Sequence, residues 1–333
     1  MEVACNSRAV AIRRGGPSRS LGVSAEPYVM YWSNEMNEQS QKKENRADLA
    51  GTVALGGELT VRRLGFGAMR ITGDGIWGPP KDPDLAVRVL RRAVELGVNF
   101  IDTADSYGPH VSEELIAKAL TPYPRDLVIA TKGGWNRPGP GQWTHDASPK
   151  HLREAAEGSL RRLRLDRIDV YQLHAPDPAV PFEASIETLA QLQAEGKIRL
   201  IGLSNVTKEH IERARKIVPI VSVQNRYSFA DREWDYVVEH CEREGIAFIP
   251  WFPLASGKLA NILLERIAKN HQRTPKQVGL AWLLKRSPIM LPIPGTSSIE
   301  HLEENLGAAS LQLTEEEYRE LTSVSEPPPS FRG

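Results

Sequence analysis

The sequence predicts a closed parallel (β/α)8 barrel, and three observations predict it. Short apolar runs at 64–67, 98–102, 127–132, 168–174, 198–204, 220–224, 246–251 and 289–293 alternate with stretches of helical period. Helix-boundary residues fall between these runs, where the unpaired donors and acceptors of helix ends need partners. The 333 residues, less a polar leader of about 50, come close to the roughly 250 typical of such a barrel. An open doubly wound sheet uses the same βα units in another strand order and is the competing architecture.

Residues 1–50 carry no sustained period of 2 or 3.6 and read as a disordered polar tail. Arg8, Arg13, Arg14 and Arg19 against Glu2, with several serines, match the composition of an organelle transit peptide. A spacer or a misassigned start codon, with translation beginning at Met36, are the plainer readings. The barrel domain is expected over 51–325, with a flexible tail at 326–333. It opens with TVALGGELTV, two alternating runs around Gly56-Gly57, a hairpin placed to cover the N-terminal mouth of the barrel. Asp82 and Pro83 start a helix that Gly97 ends, with Ala86, Val89, Leu90, Ala93 and Leu96 as its buried stripe. Ser148 with Pro149 and Thr274 with Pro275 repeat the device, and Gly196 and Gly245 end helices.

Composition removes several classes of function. Forty-two basic residues balance 42 acidic ones, so there is no electrostatic footprint for nucleic acid or an anionic membrane. No apolar stretch approaches the 18 or so residues of a spanning helix; the longest, at 246–255, is broken by Pro250 and Pro253. Cys5 and Cys241 form no disulfide framework, and a cytoplasmic protein is expected. The eight histidines show no metal-ligand spacing, so the chemistry should need no metal. The glycines of GDGIWG, at 73, 75 and 78, formally match a dinucleotide fingerprint, but Pro79 and Pro80 follow where that motif needs a helix. The segment reads instead as a mobile loop that carries Ile76 and Trp77 to a substrate.

Asp102, Lys132 and His174 end three successive strands, and in a parallel barrel such ends share one rim. Tyr107 lies on the loop that leaves the first of these strands. Singly, each has an ordinary reading: a capping Asp, a solvated Lys, a satisfied His, a half-buried aromatic. Together they suit carbonyl reduction. A tyrosine of ordinary pKa, about 10, is a poor acid at neutral pH, and a Lys132 held charged by Asp102 is expected to lower it. His174 can orient the carbonyl oxygen.

The stretches DTADSYG (102–108), ATKGG (130–134), YQLH (171–174), GLSN (202–205), VQNRY (223–227) and PIPGTSS (292–298) together resemble the aldo-keto reductase family over nearly all of 51–325. GDGIWGPP, SYGPHVSEELI and IPGTSSIEHLEEN are most similar to a bacterial-type subgroup that includes pyridoxal reductase-like proteins. The resemblance implies that Tyr107 is the general acid, Lys132 and Asp102 its tuning pair, and His174 the orienting residue. It implies that Ser204, Asn205 and Gln224 hold the carboxamide of a nicotinamide on which Trp251 stacks. Pro253, Leu254, Ser256 and Lys258 would cover the pyrophosphate, with Gly295, Thr296 and Ser297 offering a helix N-terminus to phosphate. His301 and Asn305 would approach the adenosine end. Arg or Lys is the family's usual partner for a 2′-phosphate and is missing there, so NADPH is expected with NADH left open.

The reading is therefore a monomeric NADPH-dependent reductase of small aldehydes or ketones, pyridoxal among them, with Ile76, Trp77, Trp135, Arg226 and Tyr227 framing the substrate. Two other classes stay open: a lyase using Lys132 as a Schiff base, and a cofactor-binding, redox-sensing subunit of a larger assembly.

Overall fold

The computed structural model describes residues 46–254 and 262–324. Expectations for the long N-terminal tail up to residue 45 and for the C-terminal tail fall outside them. Ala47–Ala50, assigned above to the tail, form a short 3-10 helix in which the Ala47 N–H donates to Leu96 O at 3.0 Å.

The expected hairpin forms from β1 (Thr52–Leu55) and β2 (Leu59–Arg62), paired antiparallel with Leu55 opposite Leu59. Seven parallel strands follow: β3 (Phe66–Gly67), β4 (Phe100–Asp102), β5 (Val128–Gly133), β8 (Ile168–Leu173), β9 (Ile198–Ser204), β10 (Ser222–Gln224) and β11 (Ala247–Phe248). They pair in chain order, which settles the choice against an open doubly wound sheet. Two short strands, β6 (Trp135–Asn136) and β7 (Thr144–His145), form a separate hairpin after β5 that periodicity did not suggest.

The eighth predicted strand, 289–293, is not a regular strand. Pro292 within it and Pro294 just past it lack the N–H that a ladder needs. The segment nevertheless closes the barrel. On one side Phe248 N–H donates to Ile289 O and Leu291 N–H to Phe248 O; on the other Gly65 N–H donates to Pro292 O at 2.9 Å. Closure brings backbones together so tightly that a Cβ on Gly67 would lie 2.6 Å from Ile293 O, which only glycine accommodates.

The helix caps follow the residue signals. Asp82 accepts from Leu85 N–H, Ser148 from His151 N–H and Thr274 from Gln277 N–H. The helices Pro83–Glu95 and Val111–Leu120 bury apolar faces against the sheet's outer side, with Leu90, Ile101 and Ile116 in one cluster.

Strand alternation sets what fills the barrel, because every second side chain points inward. Phe100, Val128, Val170 and Leu200 make an inner apolar layer closed from below by Val53, Leu55 and Val61 of the hairpin. Further along β4, β5 and β8 toward their C-terminal ends, the inward positions are Asp102, Lys132 and Gln172. The polar cluster thus stands on an apolar floor at the C-terminal rim.

Candidate active site

A cleft of about 660 Å³ opens at that rim, and Asp102, Tyr107 and His174 line it. Lys132 lies behind them, fully buried. Its Nζ donates to Asp102 Oδ1 at 2.6 Å and to Thr103 O at 2.8 Å, and stands 3.5 Å from the Tyr107 hydroxyl oxygen. Asp102 Oδ2 accepts from Gln172 Nε2 at 3.0 Å and Gln224 Nε2 at 2.7 Å. The carboxylate is therefore held by three donors, and it in turn holds the ammonium. Burial opposes the charge on Lys132, but Asp102 and the phenol outweigh it and keep its pKa above the ordinary value.

The phenol does not behave as the sequence suggested. Burial raises the Tyr107 pKa, Lys132 lowers it, Asp102 raises it again, and the net direction is upward. Lys132 thus restrains the rise without reversing it. In this state Tyr107 keeps its proton at neutral pH. The His174 ring packs edge-on to Tyr107 with centroids 5.9 Å apart. Burial first, then Lys132 and His145, push its pKa well below the ordinary histidine value, so the imidazole is neutral. Its Nδ1 lies 3.4 Å from Ser106 Oγ, a contact that can leave Nε2–H free to donate.

Ser204, Asn205, Gln224, Trp251, Pro253, Leu254 and Gly295 line the same cleft. Asn205 adopts a left-handed conformation (φ 56°) and its polar atoms are engaged: Nδ2 donates to His174 O at 3.0 Å, and Oδ1 accepts from Trp251 Nε1 at 3.1 Å. Asn205 therefore fixes the indole edge, while the Gln224 nitrogen is committed to Asp102. Ser298 caps the helix Ile299–Leu306, and Thr296 Oγ1 accepts from Ser298 N–H at 3.1 Å. Thr296, Ser297, His301 and Asn305 lie outside the cleft lining. Ser297 and His301 are exposed; Asn305 is buried, with an Oδ1 that finds no partner among the described residues. Ser256 and Lys258 fall outside the described residues.

Of the five substrate candidates, Ile76 and Trp135 line the cleft; Trp77, Arg226 and Tyr227 do not. Tyr227 is fully buried on the far side of the sheet. It is stacked on Trp282 with centroids 6.1 Å apart, edge-on to Phe248, and donates its hydroxyl to Asp235. Placing it in the core from sequence would have required knowing which way the chain turns after Gln224. Tyr227→Phe is expected to cost about 1 kcal/mol of stability while leaving the KM for an aldehyde within about twofold, as melting and steady-state kinetics would show. Arg226 is an exposed partner of Asp231 at 2.7 Å, with its guanidinium 6.0 Å from the Trp251 ring centroid.

The loop at 73–78, expected as a mobile segment, is folded back on itself by backbone hydrogen bonds. Gly73 N–H donates to Gly78 O, Gly78 N–H to Gly108 O, and a Cβ on Gly73 would lie 2.2 Å from Trp77 O. Its glycine serves a tight reversal. The lining also includes Met69, Trp143, His145 and His210, which sequence reasoning passed over. Trp143 and His145 belong to the hairpin that periodicity did not suggest, whereas Gln172 sits two positions before His174, and counting in twos along β8 would have found it.

Asp105 lies just behind the cleft with a buried Oδ1 that finds no partner among the described residues. Burial, then Glu113, push its carboxyl up to about 8. The folded protein then holds a proton that the unfolded chain, with a carboxyl pKa of about 4, has released at neutral pH. Stability should therefore fall as pH rises through that interval and level off above about pH 8. Asp105→Asn is expected to flatten the fall in melting temperature between about pH 5 and 8; an unchanged slope would mean that the carboxyl is already ionised.

A sequence model described as the Aldo/keto reductase family matches residues 63–326. An uncharacterised oxidoreductase of Schizosaccharomyces pombe is 50% identical over 277 residues, covering 83% of this chain and 90% of its own. Pyridoxine 4-dehydrogenase of Escherichia coli is 46% identical over 277 residues, covering 81% and 96%. Among solved structures, a thermostable aldo-keto reductase in complex with the inhibitor epalrestat superposes with a TM-score of 0.74 at 33% identity, covering 82% of this chain and 99% of its own. An aldo-keto reductase from Klebsiella pneumoniae in complex with NADPH gives 0.72 at 28%, covering 84% and 96%. A family match over most of the sequence, joined to a closed barrel whose rim gathers a phenol, an ammonium, a carboxylate and an imidazole, establishes that the chain belongs to the aldo/keto reductase family.

Proposed function

We propose that the protein reduces aldehydes or ketones to alcohols with NADPH, and that Tyr107 supplies the proton. The observation that carries this reading is the buried Asp102–Lys132 pair at 2.6 Å with the phenol oxygen 3.5 Å from the ammonium. The cleft fits a nicotinamide cofactor. It runs from the Tyr107 phenol past an indole held in place by Asn205 to Pro253, Leu254 and Gly295, beside a capped helix N-terminus suited to phosphate. Trp251 would support the nicotinamide face, with Ser204 and the Gln224 oxygen available to its carboxamide. Ser297, His301 and Asn305 remain candidates for the adenosine end, and Ser256 and Lys258 for the pyrophosphate. NADPH rather than NADH is supported by the neighbours solved with NADPH. When bound, the cofactor supplies the hydride.

The chain's own residues manage the proton. His174, neutral, donates a hydrogen bond to the carbonyl oxygen and sets its direction. As negative charge grows on that oxygen, Tyr107 releases its proton to it, and Lys132 stabilises the phenolate that remains. Asp102 keeps Lys132 protonated throughout. The Lys132 ammonium is raised in pKa, fully buried and outside the cleft lining, which disfavours a Schiff-base lyase.

Planar aromatic or heteroaromatic aldehydes suit the remaining wall, where Trp135 packs on His145 with centroids 3.8 Å apart and meets Trp143 edge-on at 5.9 Å. Pyridoxal is the substrate we favour, supported by the 46% identical relative named pyridoxine 4-dehydrogenase. The test is NADPH oxidation with pyridoxal against simple aromatic aldehydes. A kcat/KM for pyridoxal at least tenfold higher is expected, and parity would remove pyridoxal while leaving the reductase reading intact.

A further inference from the structure

Three loops leave the barrel rim around the substrate end of the cleft: the segment 73–78 after β3, the segment 103–110 after β4, and the β6–β7 hairpin after β5. One side chain touches all three. Arg137 Nε donates to Gln142 O at 3.0 Å within its own hairpin. Its Nη1 donates to Ile76 O at 2.9 Å and to Ser106 O at 3.0 Å, and Nη2 lies 3.4 Å from Gly75 O. The guanidinium also lies over two indoles, its carbon 3.8 Å from the Trp143 ring centroid and 5.4 Å from that of Trp77. Arg137 is only 9% exposed, and these hydrogen bonds go to carbonyl oxygens rather than to a carboxylate. A buried cation is costly unless its donors are satisfied, and here a planar fork meets carbonyls at several angles with the Trp143 and Trp77 rings within cation–π distance.

The residues it holds are those that meet a substrate. Ile76 and Trp143 line the cleft, and Ser106 immediately precedes Tyr107 and contacts His174 Nδ1. Arg137 itself does not line the cleft. We propose that Arg137 is a positioning and specificity-determining residue that pins the three loops into one rigid aromatic wall, so that the site selects flat, ring-bearing aldehydes over small aliphatic ones. The proposal rests on the reductase reading of the same site. A mobile wall would lose orientation of a large substrate before it lost the chemistry, because the Asp102–Lys132–Tyr107 group is held by other bonds.

The experiment compares the full chain with Arg137→Lys and Arg137→Met, using benzaldehyde and propanal as probes with NADPH. Both variants should raise the KM for benzaldehyde about tenfold, with kcat/KM for propanal and the Kd for NADPH within about twofold. Lysine should fail like methionine, because an ammonium neither stacks flat on an indole nor reaches the carbonyls of all three loops at once. Hydrogen–deuterium exchange provides a readout independent of turnover: exchange should rise in 73–78, 103–106 and 135–146 together. A wild-type protein that reduces neither aldehyde would defeat the reductase reading, while the exchange pattern would still decide the pin. Equal losses for both aldehydes, wild-type behaviour of Arg137→Lys, or faster exchange confined to 135–146 would each overturn the proposal.

Discussion

Tyr107→Phe is expected to bind NADPH with unchanged affinity yet reduce aldehydes about 100- to 10,000-fold more slowly, the range for loss of a positioned general acid. The ring should stay in place, because its packing against His174 does not depend on the hydroxyl. The loss should fall on kcat, since the phenol acts as charge develops on the oxygen and contributes little to holding the substrate. The raised phenol pKa adds a pH signature. Reduction should hold across neutral pH and fall only in alkaline solution, and the neutral His174 should introduce no break near pH 6–7, close to the ordinary histidine pKa of about 6.5. Cofactor titration and single-turnover rates check both statements; turnover undiminished in the variant would remove Tyr107 from its role.

Lys132→Met should be damaging twice over. It removes the cation that stabilises the phenolate, and it leaves Asp102 buried with two amide donors but no counter-charge. Breaking one side of a buried pair typically costs about 3–5 kcal/mol, which for a chain of this size lowers the melting temperature by roughly 10 °C. Folding and chemistry can be separated with the double variant Asp102→Asn/Lys132→Met. It should recover much of the stability, because the orphaned charge is gone, and recover none of the activity. A double variant as unstable as the single one would show that the lost packing of the lysine stem, rather than the stranded carboxylate, sets the cost.

Much of the site could be read along the chain because its main members occupy equivalent places in successive units. Asp102, Lys132 and His174 each lie at a strand's C-terminal end, and the parallel barrel turns that repetition into proximity. Arg226 and Tyr227 depart from expectation for a related reason. They follow the end of β10, where alternation no longer governs direction, and one turns to solvent while the other turns into the helix layer. The eighth strand was legible as extended chain but not as a ladder, since Pro292 within it and Pro294 just past it preserve φ while removing donors. Arg137 gave no signal at all. Its partners are backbone carbonyls of segments that periodicity treats only as gaps.

The amino-acid order alone determined the alternation of strands and helices, the caps and the positions of the ionisable groups at strand ends, because these depend on residues a few places apart. Tertiary structure alone decided the direction of the Tyr107 pKa, the commitment of Asn205 and Gln224 to protein partners, and the joining of three loops at Arg137. Each of these is set by burial and by atoms brought together from distant parts of the chain, and local sequence patterns do not encode that assembly in readable form.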